Sequence, residues 1–333
     1  MILVVGATGY IGRYFCVEMI KRGVEVLALG RSRKVQHFFE NNNVPFQYFD
    51  LNNRECFDNL PVNDIEAIVD LSACLAELET PIDQFFQINT VGVAKVLEYA
   101  RINKIKKVVV CSSHKVYNDV NKEILSESDS ISFTGPHSPY IISKIAAENF
   151  VSYYNKDFGM NAIALRLTGV HGYGEILGHL NIDGTYKKST FEIFFEKALE
   201  GEDIEVWGNQ NIKRDHIYIK DVVDALYAAV ISKNAKGIFN IASGVGFSQY
   251  DEAVALANVF NPEYKKSTIV CRPELAGLSR GYIYDISKAK RELNWCPQFI
   301  SLIDMLSDYR KEWISKKYHN YHYIKEEDRP ASL

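Results

Sequence analysis

A doubly wound α/β fold, a parallel sheet covered on both faces by helices, is what this sequence predicts, and three observations carry that prediction. Short β-branched runs alternate with longer stretches of helical periodicity over the first two-thirds of the chain. Runs such as Val108-Val109-Val110 show no polar alternation, as parallel strands buried on both faces require. A glycine-rich turn, Gly6-Ala7-Thr8-Gly9-Tyr10-Ile11-Gly12, joins the first strand-like run to the first helical stretch.

Taken in order, the candidate strands are Ile2–Val5, Val24–Leu29, Phe46–Phe49, Ala67–Leu71, Lys107–Cys111 and Ala162–Leu165. Between them, Val91–Ile102 and Ser143–Tyr154 carry apolar residues at helical spacing. From about Val170 the pattern loosens. Gly172, Gly174, Gly178 and Gly184 mark a loop, and an amphipathic segment follows at Phe191–Leu199. A later strand–helix pair is expected at Gly237–Ile241 and Gln249–Val259. The expected organisation is a main α/β domain over 1–169, its sheet completed by segments around 212–242, and a smaller lobe over 170–333. The tail Lys316–Leu333 is charged and tyrosine-rich, with no readable role.

Composition narrows the partners. Of 333 residues, 47% are hydrophobic and 24% charged, enough for a sizeable globular core. A net charge of −4 argues against a nucleic-acid footprint or an anionic membrane surface. The six cysteines (Cys16, Cys56, Cys74, Cys111, Cys271 and Cys296) show no CxxC pair and no metal-ligand spacing, so no metal is assigned. Cys74 and Cys111 lie in apolar surroundings and read as buried thiols of a reducing compartment. The chain opens directly on Met1-Ile2-Leu3-Val4-Val5, and no apolar run approaches the ~20 residues that span a bilayer. A cytoplasmic protein is expected.

The glycine turn points to a dinucleotide. Glycines there permit a tight turn, close approach of a pyrophosphate and packing of helix on strand, while the helix N-terminus offers free N–H groups to phosphate. The predicted contacts are Gly6, Thr8, Gly9, Tyr10, Ile11 and Gly12. Sites selective for NAD place an acid at the end of the second strand, on the ribose hydroxyls. Here that strand ends in Gly30-Arg31-Ser32-Arg33 without an acid. Guanidinium groups pair with a 2′-phosphate that a carboxylate would repel, so Arg31, Ser32 and Arg33 favour NADP, with NAD as the alternative. Asp50-Leu51, after the third strand, is placed to meet the adenine.

Tyr140-Ile141-Ile142-Ser143-Lys144 sets a phenol and an ammonium four residues apart on one helix face. A free phenol ionises near pH 10, and a neighbouring cation favours its phenolate, which makes it a usable acid/base. The same spacing recurs at Tyr284/Lys288 and Tyr321/Lys325. Only the Tyr140 copy follows Pro136-His137-Ser138-Pro139, opens a helix and lies downstream of the Ser112-Ser113 strand end, where ligands of open α/β sheets bind. Ser113 is placed to share the substrate oxygen with Tyr140.

Together these features resemble the extended short-chain dehydrogenase/reductases, in particular the NAD-dependent epimerase/dehydratase family that modifies nucleotide sugars. The resemblance extends to Ile88-Asn89-Thr90-Val91-Gly92, Ser112 to Tyr117, Arg166 to Gly172, Val206-Trp207-Gly208, Arg214 to Val222, Asp285 to Ala289 and Leu293 to Pro297. It implies a Rossmann domain, a catalytic Ser113, Tyr140 and Lys144, and a substrate-binding C-terminal lobe. Lys144 would hold the nicotinamide ribose, Leu71 and Asn89 would complete the cofactor contacts, and Arg214 would meet a substrate phosphate. It also implies a homodimer through the helices around Val91–Ile102 and Ser143–Tyr154.

Departures from the family pattern sharpen the reading. Sugar 4,6-dehydratases carry Asp-Glu directly after the triad hydroxyl, whereas this chain has His114-Lys115, which disfavours dehydration. His114 is expected at the substrate, as a second acid/base or as a wall of the pocket. Gly169 stands where an asparagine commonly approaches the diphosphate, and Asp70 begins a segment that often reads His-Leu-Ala-Ala. His171 and His216 are expected to line the cleft. The function expected is hydride transfer at a nucleotide-sugar carbon, by a C4 epimerase or a 4-keto reductase. The alternatives are a reductase of non-sugar carbonyls and a non-catalytic NADP sensor.

Overall fold

The structure, a computed structural model, describes residues 1–75, 80–132, 137–175, 178–180 and 186–319. Pro136, Gly184, the Tyr321/Lys325 pair and the tail from residue 320 lie outside the described residues. Seven parallel strands form the central sheet: β1 (Ile2–Val5), β2 (Val26–Gly30), β3 (Phe46–Tyr48), β4 (Ala67–Asp70), β5 (Lys107–Ser113), and the strands Asn161–Leu167 and Gly237–Ile241. Their spatial order is Gly237–Ile241, Asn161–Leu167, β5, β4, β1, β2, β3. This is the doubly wound Rossmann arrangement, with the order reversing between β1 and β4.

Alternation along β1 explains why its run is apolar throughout. Ile2 and Val4 enter the core layer shared with α1 (Tyr10–Lys21) and the C-terminal helices. Leu3 and Val5 enter the layer shared with Val93–Ile102 and the helix Pro139–Asp157. Helices on both faces leave no wet side, so a polar alternation would bury unpaired groups. The helix Pro139–Asp157 starts before the periodic signal at Ser143, because Ser138 caps it through Ile141 N–H at 3.4 Å and Pro139 suits its first turn.

Of the later segments, Gly237–Ile241 joins the main sheet beside Asn161–Leu167. Lys213–Tyr218 does not. It pairs with Gly169–His171 and Gly246–Ser248 in a separate three-stranded sheet. Its sequence, Lys-Arg-Asp-His-Ile-Tyr, is too polar for a strand buried on both faces. A short parallel pair, Ile124–Leu125 with Ile283–Tyr284, folds the late chain back over the end of β5. Cys111 is buried as expected, while Cys74 is only partly so. No described helix is long and apolar enough to cross a membrane.

Candidate active site

The glycine turn lies at the carboxyl end of β1, where the strand order reverses. Gly6 has φ +74°, and a Cβ there would stand 2.7 Å from Ser72 N. A Cβ on Gly12 would stand 2.5 Å from Ala7 Cα. Both glycines are therefore demanded by packing. Gly9 differs: its φ of −73° suits any residue, and a Cβ would meet only Gly6 O at 3.3 Å. Its bareness leaves open the approach to the first N–H groups of α1, whose first turn carries no acid. That cradle fits a pyrophosphate.

Thr8 is pressed against Gly30, where a Cβ would lie 2.6 Å from Thr8 Cγ2. The Tyr10 ring turns away from the cradle and packs beneath Gly172, so this residue offers the turn its backbone only. Ile11 is half-buried against the main core. Arg31 and Arg33 are exposed and Ser32 half-buried, with the Arg33 guanidinium 5.4 Å from the Tyr48 ring centroid. One Asp50 carboxylate oxygen accepts from Asn52 N at 2.9 Å. Leu51 is buried, and Leu71 is half-buried with its carbonyl carbon beside Gly6.

Ser113 ends β5, and its Oγ accepts the Lys115 N–H at 3.2 Å. Tyr140 occupies the first turn of the capped helix. One turn on, Lys144 is 2% exposed, its Nζ donating to Cys111 O at 2.8 Å and standing 5.8 Å from the Tyr140 ring centroid. Lys144 and Tyr140 thus lie beside β5, the strand that Ser113 ends. Asn89 has every polar atom engaged by protein: Oδ1 accepts from Cys74 N at 2.7 Å, and Nδ2 donates to Cys74 O and to Ser143 Oγ. Ser143 Oγ donates in turn to Tyr140 O at 2.8 Å. Asn89 therefore anchors the helix turn that carries Tyr140. Behind it, Ser112 donates to Glu148, which takes a two-pronged bond from Arg166 at 2.7 and 2.9 Å. This buried pair locks the end of β5 to the helix Pro139–Asp157.

Four features exceed the sequence reading. Tyr284, whose Tyr-x-x-x-Lys spacing looked remote from the cofactor loop, reaches the site from the late chain, its hydroxyl 2.7 Å from His114 Nδ1. Its counterpart Lys288 points elsewhere, donating to Ile238 O. Burial, aided by the charges of Lys115 and Arg214, pushes His114 down to about 4, so it is neutral near pH 7. Lys115 places its Nζ 5.6 Å from the Tyr140 ring centroid, on the ring that Lys144 also faces. Asp70 ends β4 fully buried, one oxygen held by Ser72 N and Oγ and the other without a hydrogen-bond partner. Burial raises its pKa against the opposing pull of Ser72 and Lys144.

The bare Gly169 also acquires a reason. A Cβ there would lie 2.8 Å from His216 Nδ1, so the imidazole fills the space a side chain at 169 would take. His216 and His171, rings 4.6 Å apart, line a cleft with Arg214, Phe247, Ser248 and Glu252. Arg214 lies 5.4 Å over the Tyr282 ring and donates to Arg280 O. Burial pushes His216 well down. His171, despite burial, is held up at about 8 by Glu175 at 3.5 Å and by Glu252.

The sequence profile of the NAD dependent epimerase/dehydratase family matches residues 2–242. The chain belongs to that family. A putative UDP-glucose 4-epimerase of Methanocaldococcus jannaschii is 27% identical over 304 residues, covering 90% of this chain and 93% of its own. A dTDP-4-dehydro-6-deoxyglucose reductase of Escherichia coli is 25% identical over 313 residues, covering 90% and 93%. Among solved structures, a UDP-glucose 4-epimerase of Thermotoga maritima with UDP-glucose superposes with a TM-score of 0.74 at 25% identity, covering 95% of this chain and 99% of the other.

Proposed function

We propose that this family member is a cytoplasmic 4-epimerase of a nucleotide-activated sugar, with Ser113, Tyr140 and Lys144 as its catalytic residues. The observation that carries the reading is a complete proton-transfer set at the edge of β5 beside a neutral His114. Tyr140 exchanges a proton with the sugar C4 hydroxyl, Ser113 holds the same oxygen, and the buried Lys144 ammonium faces the Tyr140 ring. A nicotinamide dinucleotide held at the glycine turn would supply and recover the hydride. A neutral His114 tied to Tyr284 leaves no acid/base pair for water loss, which supports epimerisation over dehydration. Arg214, free of any carboxylate among the described residues, suits the substrate diphosphate.

A second reading, an NADPH-dependent 4-keto reductase, is favoured by one observation: the acid-free Arg31-Ser32-Arg33 end of β2. Mass spectrometry of the small molecules released from desalted, denatured protein separates the two. A dinucleotide retained at near-unit occupancy is expected of an epimerase that recycles its cofactor, and its mass distinguishes NADP from NAD. An empty protein that oxidises NADPH with a 4-keto sugar nucleotide would replace the first reading with the second.

A further inference from the structure

We infer that the sugar is a uronic acid, its carboxylate bound by Lys115, an inference that rests on the nucleotide-sugar reading above. Lys115 springs from the same turn as Ser113, to whose Oγ its backbone N–H is bonded, and its ammonium stands 5.6 Å from the Tyr140 ring. Ser113 and Tyr140 hold the reacting oxygen, so the substituent on the neighbouring ring carbon comes to lie within reach of that side chain. Among the described residues no carboxylate pairs with Lys115, and the nearby acids are committed elsewhere. Asp215 accepts from Ser243 N and Oγ, Gly244 N and Tyr284 N. Asp119 pairs with His137 at 3.2 Å.

Charge balance then selects the ligand. The neutral His114 feels both Lys115 and Arg214, two separate cations, one for the sugar and one for the diphosphate. A diphosphate answers Arg214. A hydroxymethyl group beside Lys115 would strip water from the ammonium as substrate fills the site and return no charge. A carboxylate on the same carbon returns it, with charge-assisted hydrogen bonds.

The test titrates the cofactor-loaded full chain, wild type and Lys115→Gln, with UDP-glucuronic acid and with UDP-glucose by calorimetry, and follows turnover of both. Lys115 is exposed, so the variant is expected to fold. The expected result is a wild-type preference for the uronate of about tenfold or more that collapses in Lys115→Gln and is partly restored in Lys115→Arg. Equal or better binding of UDP-glucose by wild type overturns the uronate while leaving an active epimerase. Equal weakening of both ligands in Lys115→Gln overturns it too, assigning the charge to Tyr140 instead. Binding and turnover of neither ligand would overturn a UDP-activated sugar as the substrate and the inference with it.

Discussion

In the proposed mechanism, Tyr140 is where a single atom decides the chemistry. Removing its hydroxyl in Tyr140→Phe leaves the ring between the Lys115 and Lys144 ammonium groups but no proton to exchange. Steady-state kinetics should show kcat down roughly 100- to 10,000-fold, with dinucleotide affinity unchanged by fluorescence titration. Retained activity would dismiss Tyr140 from the mechanism. A second residue-scale outcome concerns pH. His171 is held up at about 8, so its charged form stabilises the fold fully below its unfolded value near 6.5, and that contribution disappears as pH rises through 8. Its magnitude is about 2 kcal/mol. His114 acts in the opposite sense: neutral and at about 4, it costs stability as pH falls from 6.5 towards 4. Thermal melts of Glu175→Gln should lose less between pH 6 and pH 9 than wild type; parallel curves would refute the His171 assignment. Tyr140, Lys144 and Ser113 are legible in the sequence because one helix face and one strand end are local patterns. The bond from His114 to Tyr284 spans 170 residues, and no local pattern encodes it. The exchange of space between Gly169 and His216 is equally hidden, since it exists only once two strands pair.

At the scale of elements, the glycine turn separates folding from binding within seven residues. Gly12→Ala drives a Cβ into Ala7 Cα and backbone, which must shift, and should cost about 1–3 kcal/mol with a matching fall in Tm. Gly9→Ala meets one carbonyl oxygen at 3.3 Å in a permitted backbone conformation, so its stability should stay within ~1 kcal/mol of wild type. Dinucleotide affinity should nevertheless fall at least about tenfold, because the methyl group occupies the approach to the α1 N-terminus. Unchanged affinity in Gly9→Ala would remove the pyrophosphate from this turn. Strands β1, β4 and β5 are readable in advance for the same reason that the turn is: their burial on both faces forces continuous apolar runs. Lys213–Tyr218 breaks that rule, with a fully buried Asp215 serving as a four-donor junction between the late chain and the strand Gly237–Ile241. Its polar run is a clue to a separate sheet, but which strands it joins depends on pairings made at long range.

For the molecule as a whole, the largest core cluster runs from Ile2 to Tyr318 across residue 170, so the proposed division into a cofactor domain over 1–169 and a substrate lobe over 170–333 concerns function more than independent folding. What the core leaves uncovered is more telling. On the helix pair Val93–Ile102 and Pro139–Asp157, Ile102 is 61% exposed, Tyr153 48% and Phe158 44%, with Phe150 one turn from Tyr153. Tyr153 and Phe158 meet at 5.5 Å and Arg101 lies 5.0 Å over Phe158, so these groups form one patch with an ion-paired border at Glu98. An apolar patch on two adjacent, rigid helices suits a twofold interface in which each protomer supplies the same pair. Tyr140, the proposed acid/base, lies in the first turn of one of those helices, so docking there would also steady the proposed active site. Light scattering at micromolar concentration should therefore give a dimer, and Phe150→Glu combined with Tyr153→Glu should give a folded monomer with lowered kcat, because two buried carboxylates cannot be paired across the symmetric interface. A wild-type monomer across that range would show that the patch serves some other partner.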